Sequence, residues 1–433
     1  QNRPVRILVT AFTHNAINNV LKKVCDLLDA YKLGDANTVI AKVHGTTGPE
    51  AGERLPAEIR RVHHKDLSGL LGGETPSLVV GSTVWGVYSG MNAAGNVVQS
   101  WFDVVLIDEA SQMKLPDALI AFSSSKPDSS VILAGDDRQL PPIIHGEYPE
   151  EHDYMLTSVF AFMRRRIEER AADQEGLEGQ TIFQLEDNFR MSKPLTDYPS
   201  EHLYGGSFIS RQPEIRIETR PELPPDTDDV IDFMLHPDRS AVLCSYEAPI
   251  SFTARNPIEA ELVARLAARL AGILVHPKST VLVDPDYFAA EGLAVLSPHR
   301  AQNSTIRGIL ESNGFGKNGR PMPLVDTVDK LQGQERDVVL VSYGVADEEY
   351  AEAEAEFLLS SNRFNVATTR PRRKLIVLCS TAVLDVVPQD RKVLLESMML
   401  KGFRGYLNQG LRRFTWPATD YGPVELTIQW KGF

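Results

Sequence analysis

Short apolar runs rich in β-branched residues recur along the chain, with helical patterns between them. Most of the runs are continuous rather than alternating, which is typical of strands buried on both faces of a parallel sheet. Nine runs are therefore predicted as strands: VRILVT (5–10), SLVVGST (77–83), VVLIDE (104–109), SVILAGD (130–136), TIFQLED (181–187), SAVLCS (240–245), LAVLSP (293–298), DVVLVSYG (337–344) and KLIVLCS (374–380). This alternation predicts an α/β fold with open parallel sheets flanked by helices.

The predicted strands fall into two sets, before about residue 145 and after about residue 180. A polar segment, HGEYPEEHDYM (145–155), joins them. Two domains are therefore expected, 1–150 and 151–433, the second with a C-terminal extension. Residues 44–77 are rich in Gly and Pro and are predicted to form an irregular insertion in the first domain.

Composition excludes several classes of protein. The 433 residues carry a net charge of −13, from 45 basic and 58 acidic side chains, so a broadly cationic nucleic-acid coat is excluded. No run of about 20 apolar residues exists, so no membrane partner is expected. The three cysteines lack disulfide-framework or zinc-site spacing, which favours a reducing compartment: the cytoplasm, or the nucleus in a eukaryote.

Two carboxylates, Asp108 and Glu109, end the apolar run in VVLIDEASQM (104–113). For such a pair alone, an acidic strand end that reaches solvent is the better interpretation. Nucleotide hydrolysis, however, needs one carboxylate to hold Mg²⁺ and a second to activate water. A further run, VILAGDDRQLPP (131–142), places Gln139 in a proline-stiffened turn, where a neutral amide can contact a γ-phosphate without adding charge. Together, the two stretches predict a nucleotide site.

Further stretches complete an ordered set of motifs. They are VTAFTHNAINNVL (9–21), VGSTVWG (80–86), QLEDNFRM (184–191), SPHRAQ (297–302), VDTVDKLQGQERDVVLVS (325–342) and NRFNVATTR (362–370). In this order the chain resembles superfamily 1 helicases, in the branch that contains the nonsense-mediated-decay and transcription-termination helicases. The resemblance covers nearly the whole chain.

The resemblance implies two RecA-like, P-loop NTPase-type domains that bind ATP and Mg²⁺ between them, the first domain being N-terminally truncated. It implies that Asp108 binds Mg²⁺, that Glu109 acts as the general base and that Gln139 senses the γ-phosphate. Arg190 and Arg370 would act as arginine fingers, although a surface salt bridge is the alternative for an isolated arginine. Glu335 would hold the ribose, and Gln332 and Gly333 would line the same cleft.

The resemblance also implies contacts to the backbone of single-stranded DNA or RNA. The residues are Thr10, Thr13, Ser82 and Thr83 in the first domain, and Pro298, His299 and Thr327 in the second. Hydroxyls and amides at element ends suit phosphates and need few cations, which agrees with the acidic net charge. Helix caps and turns are the alternative role for each, and both roles stay open. Trp416 could stack a base, but packing of a terminal element is favoured.

One departure from the family pattern is severe, since the chain contains no GxxxxGK[ST] ahead of its first motif. We therefore expect these residues to bind Mg-ATP poorly and hydrolyse it slowly when alone. The full-length parent is expected to be an ATP-dependent helicase or translocase with 5′-to-3′ movement. The missing N-terminal segment and other proteins are possible partners. The alternative is a non-catalytic module that binds nucleic acid or a protein partner.

Overall fold

The computed structural model describes most of the chain and divides it into two compact units, Gln1–Phe183 and Gln184–Phe433. The described residues are 4–32, 38–45, 55–72, 77–95, 100–144, 149, 153–173, 182–317 and 319–433. This division places the helix Val159–Asp173 in the first unit, whereas the sequence analysis assigned it to the second domain.

The first unit contains a six-stranded sheet in the order β3-β2-β4-β1-β5-β6, and every pairing is parallel. Its strands are β1 (Arg6–Ala11), β2 (Thr38–His44), β3 (Ile59–His63), β4 (Ser77–Gly81), β5 (Phe102–Asp108) and β6 (Ser125–Leu133). Its helices are α1 (His14–Ala30), α2 (Leu67–Gly72), α3 (Val84–Ala93), α4 (Leu115–Ser123), α5 (Asp153–Leu156) and α6 (Val159–Asp173), with a 3₁₀ turn at His64–Asp66.

Helices cover both faces of this sheet. Successive residues of a strand point to opposite faces, and Leu8 and Val9 of β1 accordingly belong to two different apolar clusters. The cluster around Val9 contains Ile17 and Leu21 of α1, and the cluster around Leu8 contains Val87 of α3. Burial on both faces explains why the strands are continuous apolar runs.

The second unit contains a seven-stranded sheet in the order β11-β10-β12-β13-β9-β15-β14. The first five strands are parallel, and β15 and β14 add an antiparallel hairpin beside β9. The strands are β9 (Ala241–Tyr246), β10 (Leu293–Leu296), β11 (Leu324–Asp326), β12 (Arg336–Ser342), β13 (Pro371–Ser380), β14 (Gly410–Ala418) and β15 (Gly422–Lys431). Two short strands, β7 (Asp187–Asn188) and β8 (Ile209–Ser210), pair separately.

Helices of the second unit also lie between its strands. They are α7 (Lys193–Leu203), α8 (Val230–Leu235), α9 (Pro257–Ile273), α10 (Pro285–Tyr287), α11 (Arg300–Ser312), α12 (Val328–Leu331), α13 (Glu348–Ala353), α14 (Ala355–Leu358), α15 (Ser361–Thr369), α16 (Thr381–Leu384) and α17 (Arg391–Tyr406), with a π-helical turn at Phe288–Gly292. The largest apolar cluster packs α8, α9 and α11 against the sheet. The predicted α/β class with parallel sheets is therefore confirmed.

Two features of the structure differ from the sequence prediction, and a third decides between two alternatives that the sequence left open. The run TIFQLED is not a strand over residues 182–186, and Phe183 and Leu185 are 81% and 87% exposed. Segment 44–77 is not irregular throughout, because β3 pairs with β2 as the sheet edge. Trp416 is buried in β14, which confirms that it packs a terminal element. Within the described ranges, no helix has the length and apolar character of a membrane span.

Candidate nucleotide and nucleic-acid sites

A sharp turn follows β5 and carries the two predicted carboxylates. The strand runs between β1 and β6 and ends at Asp108. Glu109 has a φ of +50°, a left-handed conformation that a residue with a side chain rarely adopts. The turn is closed by the Gln112 amide, which donates to the Glu109 carbonyl at 2.9 Å. Both carboxylates therefore stand directly at the carboxyl edge of the sheet, where α/β proteins bind ligands.

The charge at this turn fits a divalent cation. Burial and, to a lesser degree, the neighbouring Glu109 carboxylate together raise the pKa of Asp108 to about 6. A bound cation favours the ionised form and would lower that pKa. Among the described residues, no three His, Cys, Asp or Glu side chains are grouped to hold a metal. Mg²⁺ often binds through one or two carboxylates and substrate phosphates, so Asp108 fits that ion.

The loop after β6 lies against this turn. The Ala110 amide donates to the Ala134 carbonyl at 2.8 Å, and a Cβ on Gly135 would lie 2.9 Å from the Ser111 nitrogen. Only a glycine permits this close approach. Asp136 then shapes the loop, accepting from the Arg138 amide and from Nε2 of Gln139, both at 2.9 Å. Gln139 therefore lies on the loop next to the Asp108–Glu109 turn.

In the second unit, residues from three of the motifs lie together around the Glu335 carboxylate. Arg190 donates from Nε to Oε2 of Glu335 at 2.5 Å and from Nη1 to the Thr369 carbonyl at 3.1 Å. Arg370 follows Thr369 as the C-cap of α15 and is 3% exposed. The structure thus brings Arg190 and Glu335 together beside the end of the helix that carries Arg370.

Arg372 is a residue that sequence reasoning missed. Its guanidinium contacts Oε1 of Glu335 at 3.4 Å, Oε2 of Glu291 at 2.9 Å and Oδ1 of the fully buried Asp337 at 3.0 Å. The Arg372 guanidinium, itself held by Glu291 and Asp337, keeps Glu335 in place. The available signal was the pair of arginines that follows Arg370 in the sequence.

Gln332 and Gly333 form the turn between α12 and β12. Gly333 has a φ of +72°, and the Gln334 amide donates to the Leu331 carbonyl at 3.0 Å. This turn leads into Glu335, so the three residues predicted to line the nucleotide site lie on one short segment of the second unit.

The predicted nucleic-acid contacts of the first unit separate into two groups. Thr13 and Thr83 are the N-caps of α1 and α3, where their hydroxyls accept from the Ala16 and Gly86 amides at 3.2 and 3.1 Å. Thr10 and Ser82, in contrast, are fully buried. Neither hydroxyl is at the surface of this structure, and the role of these two residues in contacting a strand stays a prediction.

In the second unit, Pro298 and Thr327 line one surface pocket. His299 is the N-cap of α11, and its ring lies 5.7 Å from the Phe357 ring and 5.9 Å from the Tyr350 ring. Burial lowers the pKa of His299 and favours its neutral form. The three predicted contacts therefore cluster at the carboxyl ends of β10 and β11.

Two exposed aromatic side chains adjoin Thr83 and were not predicted. Trp85 and Tyr88 of α3 are 60% and 40% exposed, with ring centroids 6.2 Å apart in an edge-to-face arrangement. No charged residue occurs between positions 75 and 102, although 24% of the chain is charged. Their i, i+3 spacing after a capping threonine was the available signal.

The first unit has a parallel sheet with two carboxylates at its carboxyl edge, and the second has a mainly parallel sheet with Gln332 and Glu335 at the amino end of β12. These features define RecA-like nucleotide-binding domains. Two family models, both described as AAA domain, match residues 76–147 and 163–382, and the second match alone exceeds half of the chain. The chain belongs to this AAA-domain family, within the superfamily 1B helicases.

Named relatives agree with this assignment. The DNA replication ATP-dependent helicase/nuclease JHS1 of Arabidopsis thaliana is 26% identical over 392 residues, which cover 88% of this chain and 25% of that protein. The DNA-binding protein SMUBP-2 of Mus musculus is 28% identical over 290 residues, covering 66% and 26%. The chain thus spans about a quarter of each. A solved structure of arterivirus nonstructural protein 10 (helicase) with DNA is 12% identical, covers 87% of this chain and 54% of that one, and has a TM-score of 0.37.

Proposed function

We propose that this chain is the motor of an ATP-dependent helicase or translocase that acts on single-stranded nucleic acid. The observation that carries the proposal is the turn after β5, where Asp108 and Glu109 lie directly beside the loop of Gln139. A general base, a metal ligand and a phosphate-sensing amide are the groups that nucleotide hydrolysis requires on one side of the phosphates.

Each unit supplies different groups to one ATP molecule in this proposal. Asp108 would bind Mg²⁺, whose charge would offset that of the phosphates. Glu109 would accept a proton from the attacking water, and Gln139 would contact the γ-phosphate. Arg190 and Arg370 would donate to the phosphoryl oxygens, while Glu335 holds the ribose on the segment shared with Gln332 and Gly333.

The strand would lie along the carboxyl edges of the sheets. Thr13 and Thr83 can face phosphates while they cap helices, because a hydroxyl that accepts one hydrogen bond can still donate another. Pro298, His299 and Thr327 would contact the backbone in the second unit, and Trp85 and Tyr88 would stack against bases. We propose 5′-to-3′ movement from membership in this branch, with DNA or RNA as the track.

Two narrower points belong to the same proposal. Since these 433 residues contain no GxxxxGK[ST], we expect them to hydrolyse ATP slowly by themselves. The alternative function is a non-catalytic module that binds nucleic acid or another protein. The complete acid, amide and arginine set favours the motor, because a binding module has no chemical need for it.

The test measures ATP turnover by the full-length protein with no strand, with single-stranded DNA and with single-stranded RNA. A motor shows turnover that rises with at least one strand and that displaces a complementary strand in one direction only. An Asp108→Asn variant should lose turnover, while Asp128→Asn, at an exposed position of β6, should keep it. Strand binding without any stimulated turnover would favour the binding module.

A further inference from the structure

A surface pocket in the second unit lies between two residues already proposed to contact the strand. Pro298 and Thr327 line it, and side chains from β10, β12, α14 and α15 form its apolar walls: Leu296, Val341, Phe357 and Phe364. Its polar groups come from Ser297, Thr327, Tyr343 and Arg363. The pocket therefore combines flat apolar surface with a few polar atoms, a combination that is typical of small-ligand sites.

Ser297 is an unusual residue within this wall. Its side chain is 2% exposed, and its Oγ has no hydrogen-bond partner among the residues that the structure describes. Buried hydroxyls normally have a partner. A ligand with a polar edge would supply one, whereas a purely apolar ligand would leave this hydroxyl unpaired.

The aromatic wall is held in a fixed orientation. The Arg363 guanidinium carbon lies 4.5 Å from the centre of the Phe357 ring, and the centre of the His299 ring lies 5.7 Å from that same point. Arg363 is itself positioned by Asp329 of α12, with Nη1 and Oδ2 3.6 Å apart. A cation and an aromatic face are thus presented together, and this pairing suits a planar, electron-rich ring attached to a polyanion.

We propose that this pocket takes one nucleobase of the bound strand, with its ring against Phe357 and its polar edge at the Ser297 hydroxyl. The inference rests on the proposed function, since Pro298 and Thr327 would hold the backbone from which the base enters. A nucleobase matches both the flat apolar walls and the buried Ser297 hydroxyl. The second unit would then hold the strand through a base as well as through its phosphates.

The test is a cycle of two changes in the full-length protein. Affinity is measured for an oligothymidylate and for an abasic strand of the same length, with wild type and with Ser297→Ala. The variant should bind the thymidylate roughly three- to tenfold more weakly, the range expected for one lost hydrogen bond. Its affinity for the abasic strand should be unchanged. Ser312→Ala, at the exposed end of α11, is the matched control and should behave as wild type.

A loss of affinity in Ser297→Ala would not be caused by a loss of folded protein. Ser297→Ala removes a hydroxyl that has no partner among the described residues, so the variant should melt at the same temperature or higher. A Phe357→Leu variant, which keeps an apolar side chain but removes the ring, should also lose affinity selectively for the thymidylate. Equal losses on both strands, or no loss on either, would overturn the pocket assignment. Failure of the wild-type protein to bind or respond to single-stranded DNA and single-stranded RNA alike would instead overturn the proposed function.

Discussion

Arg190 and Glu335, which are 145 positions apart in the chain, form an ion pair with Nε and Oε2 at 2.5 Å. Both side chains are more than one-third exposed, so the pair contributes at most about 1 kcal/mol to stability. The ion pair is important because it fixes the positions of the two side chains. It joins a proposed arginine finger to the carboxylate proposed to bind ribose, and Arg372 holds that carboxylate from another side.

In the full-length protein, Arg190→Ala should therefore lower ATP turnover far more than it lowers stability. We expect kcat to fall by about 10³-fold or more, the scale of an arginine finger, with little change in melting temperature. Arg211→Ala is the matched control, because Arg211 pairs with Asp187 at 2.6 Å on the surface of the same unit. Steady-state turnover and thermal unfolding measure the two quantities. A loss of turnover that merely follows a loss of folded protein would assign Arg190 a structural role.

Glu109 combines a proposed catalytic role with a strained backbone. Its φ of +50° is costly for a residue with a side chain, and glycine would relieve about 1 kcal/mol of that strain. Glu109→Gly should thus unfold at higher urea concentration than wild type, whereas Glu109→Gln, which retains the strain, should not. Both variants should bind ATP but lose hydrolysis. If the glycine variant were the less stable of the two, the side chain rather than the backbone would dominate this turn.

Glu259 should make the stability of the second unit depend on pH. The carboxyl group is fully buried, accepting from the Tyr246 hydroxyl and the Gly344 amide at 2.8 Å and from the Ser342 hydroxyl at 2.6 Å. Burial raises its pKa from 4.5 to about 7. The unfolded chain therefore releases this proton at lower pH than the folded chain does, and stability falls as pH rises between these two values.

The expected loss is roughly 3 kcal/mol across this window, with no further change above it. Tyr246 and Cys244 do not contribute, because their pKa values are raised and they stay protonated. Glu259→Gln should remove this contribution to the slope, so its stability relative to wild type should increase from pH 5 to pH 8 in urea unfolding. Glu311→Gln, on the exposed side of α11, should leave the slope in place. A parallel pH profile for Glu259→Gln would contradict the assignment.

Much of the fold could be predicted because central strands of a parallel sheet must be apolar on both faces. The edge strands were harder to identify. In β3, IRRVH, two central arginines interrupt the apolar pattern, since an edge strand needs burial only at Ile59 and Val62. TIFQLED has the composition of a strand, but residues 182–186 have no strand pairing in the structure. The composition of a segment does not determine whether a neighbouring strand is available to pair with it.

The candidate site, like the fold, could be predicted from the sequence only in part. Motif order correctly placed Asp108 and Glu109 at the end of a buried strand and brought Glu335 and Arg190 into one motif set. It did not predict which hydroxyls reach the surface, because the burial of Thr10 in β1 and of Ser82 after β4 depends on the packing around them. Arg372 was missed for a related reason. Its role depends on Glu291 and Asp337, which are distant from it in sequence.

Trp85 provides a direct spectroscopic test of the proposed strand path. It is the most exposed of the four tryptophans, since Trp101 and Trp416 are each 8% exposed and Trp430 is half-buried. Single-stranded nucleic acid should quench its fluorescence, and Trp85→Phe should abolish that quenching. Trp85→Ala should weaken binding by about 1–3 kcal/mol, the value of one stacked base.

Tyr31→Ala is the matched control for this measurement. Tyr31 is 69% exposed at the opposite end of a helix, α1, so it lies away from the carboxyl edge of the sheet. Its removal should leave both affinity and quenching unchanged. Quenching by a protein partner but not by any strand would show instead that α3 is a protein-binding surface.

The close approach at Gly135 connects the fold to the proposed chemistry. An alanine Cβ there would lie 2.9 Å from the Ser111 nitrogen and 3.3 Å from the Ala110 nitrogen, both of which are backbone atoms that cannot rotate away. Gly135→Ala should therefore move the Gln139 loop away from Asp108 and destabilise the first unit by about 1–3 kcal/mol. ATP turnover should fall as the two loops separate.

Gly308→Ala is the control, because Gly308 lies in the interior of α11 with nothing within 4 Å of the new methyl group. It should instead stabilise the second unit by about 0.5–1 kcal/mol and leave ATP turnover unchanged. Urea unfolding and turnover of both variants test this contrast, and full activity in Gly135→Ala would mean that the loops do not need to touch.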